Sequence, residues 1–136
     1  MNPPARRKKV ERTAWSEYRR LARAFREAAS LAMEFEYWNA AGVLIVHSAI
    51  AVTDAICIRI GGVKSAGDDH YQAGNLVGEV VALDREGTRA LDHYFAIIQE
   101  KSIVSYGGKT YRQHEIAGLM RHLDRYQQWA DRMLAE

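Results

Sequence analysis

Residues 39–62 read NAAGVLIVHSAIAVTDAICIRIGG. Whether this stretch crosses a membrane or fills the middle of a bundle decides the fold. Its length is about the twenty residues that span a bilayer. His47, Asp54 and Arg59 interrupt it, and a mid-span Asp costs about 2.5–3.5 kcal/mol on the insertion scale. A helix apolar nearly all round, in a chain with four amphipathic helices besides, is more simply the central helix of a bundle. The expectation is therefore no membrane span.

Outward from that centre, the sequence predicts a helix on either side and little that interrupts them. Both prolines, Pro3 and Pro4, sit at the N-terminus, so glycine is the main breaker elsewhere. From Thr13 the residues Trp15, Tyr18, Ala22, Phe25, Ala29 and Ala32 repeat at three-four spacing, an amphipathic helix that Thr13 can cap. The second helix runs from about Glu36 to Ile60 and stops at Gly61-Gly62. A third covers roughly Asp69 to Leu83, and a fourth runs from Thr88 to about Ser105. The last starts at Thr110, where Thr110 and Gln113 have capping-box spacing. No stretch alternates with period two long enough to argue a sheet. The fold class is all-α, a five-helix up-and-down bundle with antiparallel neighbours.

The chain has 136 residues, 48% hydrophobic and 26% charged, which suits one globular domain, here 13–136. A single cysteine, Cys57, leaves no intramolecular disulfide and fits a reducing, cytoplasmic setting. No apolar segment follows the charged N-terminus, so no secretory signal is expected.

The net charge of +2 hides an asymmetry. Residues 1–26 carry Arg6, Arg7, Lys8, Lys9, Arg12, Arg19, Arg20, Arg23 and Arg26 against Glu11 and Glu17. The rest of the chain is net acidic. Residues 1–12 are expected to form a basic, flexible arm, and Arg19, Arg23 and Arg26 share one helical stripe. Such a region can contact a nucleic-acid backbone, an acidic partner or its own body.

Asn39, Val43, His47, Ile50, Asp54 and Cys57 share a stripe of the second helix. A carboxylate there must be paired or exposed. Asp54 either closes a structural network with His47 or a basic residue, or lines a binding site with it. The five histidines, His47, His70, His93, His114 and His122, show no metal-ligand spacing. No metal and no cofactor is expected, and there is no phosphate loop or dinucleotide fingerprint.

Three segments carry a family resemblance. YRRLARAFREAASLAMEFEYWNAAGVLIVHSAIAVTDAICIRIGG resembles the long first hairpin of HEPN-domain proteins, small helical bundles of prokaryotic toxin–antitoxin and defence systems. HYQAGNLVGEVV is similar to the histidine-led third helix of several members. EKSIVSYGGKTYRQHEIAGLMRHLDRY resembles the C-terminal helix-break-helix. The resemblance covers about residues 13–134 through loose motifs, and it implies a homodimer.

Nuclease members of that family carry Arg, four to six residues, then His. The matching place here holds Lys101-Ser-Ile-Val-Ser-Tyr106, while Arg89 to His93 and Arg112 to His114 are too short. Phenol, near pKa 10, is a poor base where imidazole is a good one. Lysine also lacks arginine's bidentate fork. The resemblance thus implies a non-catalytic, dimeric binding module for nucleic acid, a nucleotide or a nucleotidyltransferase-type partner. One alternative is a divergent, metal-independent ribonuclease using Lys101 and Tyr106, with Asp54 or His93. The other is a purely structural interaction bundle.

Overall fold

The computed structural model describes residues 4–135. Its helices are α1 (Trp15–Glu34), α2 (Trp38–Gly61), α3 (His70–Val80), α4 (Arg85–Ile98), α5 (Lys101–Tyr106) and α6 (Gln113–Leu134). Two short strands, β1 (Arg7–Lys9) and β2 (Val63–Ser65), pair antiparallel. The mostly helical bundle expected from the sequence is present, and its other four long helices pack around α2.

Fourteen of the 24 residues of α2 are buried. The helix is long and apolar enough for a membrane span, yet 78% of its most apolar window is buried inside the protein. Small residues allow its neighbours to approach closely. Ala22 and Ala29 of α1 are fully buried against it. Ser48 Oγ donates to the Ala22 carbonyl at 2.7 Å and accepts from Gln127 of α6 at 3.1 Å, so one buried hydroxyl ties three helices. Thr53 and Tyr126 share a second buried bond, 2.6 Å between hydroxyls. These bonds satisfy polar groups whose burial would otherwise cost stability.

The helix ends depart from expectation in several places. Thr13 lies in a 3-10 turn (Arg12–Ala14), and Ala14, with no capping side chain, precedes α1. Gly62, with φ 63°, terminates α2 in the left-handed region. Asp69 and Asp84 cap α3 and α4 by accepting from Tyr71 and Gly87. The fourth predicted helix divides at Gln99 and Glu100, where the Glu100 amide reaches back only to Ile97. The helix α5 that follows extends through Tyr106, so the break spans residues 107–112. Its Val104 packs on Gly42 of α2, where an added Cβ would lie 2.6 Å from Val104 Cγ2. Entry into α6 uses Arg112 and Glu115 rather than Thr110 and Gln113: the Glu115 carboxylate accepts from the Arg112 backbone N–H at 3.0 Å.

The largest correction concerns the arm. Residues expected to be flexible form β1, with Arg7 opposite Ser65, Lys8 opposite Lys64 and Lys9 opposite Val63. The Ala66 amide donates to Arg6 O and the Val10 amide to Gly62 O, both at 3.0 Å. Ala5 is only 5% exposed. Its amide donates to Glu79 of α3 at 3.0 Å, and the Arg7 guanidinium also binds Glu79. The arm is a strap across β2 and α3, and the part of it at residues 1–3 lies outside the described residues.

Candidate functional site

The basic stripe of α1 faces an acidic row on α6. Arg26 Nε donates to Asp124 at 2.8 Å, and Arg19 bonds Asp131 at 3.2 Å. Arg23 alone of the three stays exposed, without an ion pair to any described residue. Of the three partners open to this basic region, the chain's own body is engaged by Arg7, Arg19 and Arg26.

Asp54 and His47, two turns apart on α2, have different fates. Asp54 is 7% exposed and lies beneath the strap, 3.8 Å from Lys64 Nζ. Burial lifts its carboxyl to about 6, against the pull of Lys64 and Lys8. Cys57, one turn further on, is pushed by burial and by Asp54 up to about 12, so its thiol is no nucleophile at neutral pH. Asp54 therefore closes a network with strand lysines rather than with His47.

His47 is exposed, its ring 5.7 Å from that of Phe25 of α1. His70 is the first residue of α3 and Lys101 the first of α5. Burial lowers the pKa of His70, and the positive charges of Lys101 and His47 lower it further, while Asp68 and Asp69 oppose them. Side chains from two other helices, His47 and Lys101, thus both lie within electrostatic reach of His70. Tyr94 steadies the corner by donating its hydroxyl to His70 O at 2.7 Å. Lys101 is partly buried and forms no ion pair with any described residue. The sequence reading named His47 and Lys101 but not His70 as a site residue. The signal for His70 was its place at the head of HYQAGNLVGEVV, the segment that resembles a histidine-led helix.

Tyr106 stands apart, 86% exposed. Five residues along a helix separate it from Lys101 by about 140° of rotation and roughly 7.5 Å of rise. The two candidates for a proton-transfer pair face different directions.

Elsewhere, His93 of α4 and His122 of α6 meet with their Nδ1 atoms 2.8 Å apart. Burial, His122 and Arg125 lower the His93 pKa, with Asp92 opposing. Such a contact joins two helices when one ring donates to a neutral neighbour. Among the described residues, no three His, Cys, Asp or Glu side chains gather to hold a metal ion. A concavity of about 1040 Å³ opens between the strap, α3 and α4, and neither His47 nor Lys101 lines it. Comparison with protein families, curated proteins and solved structures finds no match to this chain.

Proposed function

We propose that this chain is a cytoplasmic, non-catalytic binding module of HEPN-like build. It takes an anionic group, the phosphate of a nucleotide or nucleic acid, in the notch formed by His47, His70 and Lys101. The observation that carries this reading is that His47 of α2 and Lys101 of α5 both act electrostatically on His70 of α3, with Lys101 forming no ion pair to a described residue. A lysine charge beside hydrogen-bonding imidazoles attracts phosphate and needs no proton transfer. The separate directions of Lys101 and Tyr106 favour binding over cleavage. The nucleotidyltransferase-type partner implied by the resemblance belongs to the same proposal, as a protein that would bring a nucleotide to this face.

Fluorescence anisotropy with labelled single-stranded RNA and with nucleotides tests it. Lys101→Ala and His70→Ala should each weaken binding about tenfold, the loss of a charge-assisted hydrogen bond. Lys101→Ala should also flatten the salt dependence, since fewer counterions are released. Affinity should rise as pH falls and His70, its pKa lowered by burial and neighbouring positive charge, becomes charged. Binding untouched by either substitution would refute the notch. RNA cleavage that Tyr106→Phe abolishes would replace this reading with the ribonuclease.

A further inference from the structure

The outer face of α1 carries Leu21, Ala24, Ala28 and Leu31, continued by its C-cap Phe35, at successive spacings of three, four, three and four. That is the a/d pattern of a coiled-coil seam. The inward face of the same helix is already occupied, with Ala22 and Ala29 buried on the bundle. The seam is open: Leu21 is 49%, Leu31 56% and Phe35 68% exposed. Scattered exposed leucines need no explanation, but an aligned row of them marks an interaction surface. Its length from Leu21 to Phe35 is about 21 Å.

The charges beside the seam identify what covers it. Arg20 flanks the first half, and Glu27 and Glu34 flank the second on the same side. A second copy laid antiparallel sets each positive half against a negative half. Two antiparallel registers interleave the a and d positions. One places Leu21 opposite Leu31 of the second copy, Ala24 opposite its Ala28, and Arg20 opposite its Glu34. The other opposes Glu27 to Glu34 twice. In the favoured register the one like-charge meeting is Glu27 with itself at the axis. The alanine layers let the helices approach closely. Arg20 now rests on Glu17 of its own helix at 3.3 Å, both largely exposed, a contact weak enough to be exchanged.

We infer that α1 is a self-association seam, through which two copies of this chain pair antiparallel about a two-fold axis. This goes beyond the anion-binding reading and does not depend on it. Such a narrow contact resembles the smallest specific interfaces, so a dissociation constant on the order of 10 μM is expected.

Sedimentation velocity on the full chain from about 1 to 200 μM brackets that value. A concentration-dependent passage from monomer to dimer is the expected result. Leu31→Asp should raise the dissociation constant at least about 30-fold, since each dimer would lose two buried leucines and desolvate two carboxylates. Its thermal melt at low concentration should match that of the wild type, because Leu31 is exposed in the monomer. Arg20→Glu and Glu34→Arg should each weaken the dimer roughly fivefold. A chain carrying both should recover the wild-type value. A monomer throughout, or a dimer indifferent to Leu31→Asp, would overturn the seam. Failure of the double reversal to restore pairing would overturn the antiparallel register.

Discussion

Replacing Asp54 by Asn isolates one buried charge. Folding lifts its carboxyl from 3.8 to about 6, chiefly by desolvation, with Lys64 and Lys8 pulling the other way. The folded state therefore holds the Asp54 proton more tightly than the unfolded chain does. The charged form costs stability fully above pH 6, and the cost fades as pH falls from there toward 3.8. The displacement corresponds to about 3 kcal/mol. Asparagine has nearly the shape of the neutral acid and never ionises. Asp54→Asn should thus be more stable at pH 7.5 by about 2–3 kcal/mol, roughly 5–10 °C in melting temperature for a chain of this size. The difference should shrink to near zero by about pH 4, where Asp54 is protonated in both states. Lys64, 24% exposed and 5.8 Å from the Tyr18 ring, can turn toward water when its partner is lost. Urea unfolding of both proteins across pH 4–8 measures the difference, and contributions from the histidines cancel between them. The opposite outcome has its own physics: removing one member of a buried pair can strand the other at a cost of about 3–5 kcal/mol. A variant less stable than wild type at pH 7.5, or a difference that ignores pH, would refute the desolvation argument.

Two further substitutions test packing and the strap. At Gly74 an added Cβ would sit 2.6 Å from Phe95 Cε1 and 3.0 Å from Tyr94 Cε2. Gly74→Ala should therefore lose about 1–2 kcal/mol by denaturant melt despite its better helix propensity. Gly118→Ala is the control, meeting only the tip of Arg121 at 3.7 Å, and should gain about 0.5–1 kcal/mol. Glu79→Ala removes the acceptor of the Ala5 amide and the partner of Arg7, and should cost roughly 1–2 kcal/mol. Hydrogen exchange should show the loss of protection confined to residues 5–10 and 62–66.

What was legible in the sequence was local. Three-four repeats mark α1 and α6, and the helix stop at Gly62 follows from its freedom at positive φ. The break between α4 and α5 was hidden because Gln99 and Glu100 are good helix formers, and the packing of Val104 on Gly42 overrides their preference. Residues 5–10 look like solvated tail by composition, and the partners that make them a strap lie far along the chain. Arg19 and Arg26 resembled a nucleic-acid patch for the same reason, since Asp131 and Asp124 stand 112 and 98 residues away. His70 joins His47 and Lys101 only through the packing of three helices. The repeat Trp15 to Ala32 marks only the inward face of α1, and it takes burial to show that the row at Leu21, Leu31 and Phe35 remains unused.

The strap has a kinetic meaning. Residues 5–10 are synthesised early, yet Glu79 is 74 residues from Ala5 and 72 from Arg7. The strap cannot close until β2 and α3 have been made, and closing so long a loop is entropically slow to repay. Hairpin α1–α2, by contrast, needs only neighbours in sequence. The strap thus belongs to the late side of the folding barrier, where lost contacts speed unfolding and leave the folding rate nearly unchanged. It acts as a clasp on a structure already formed. The lifetime of the native state, more than its rate of assembly, rests on a few residues at the start of the chain.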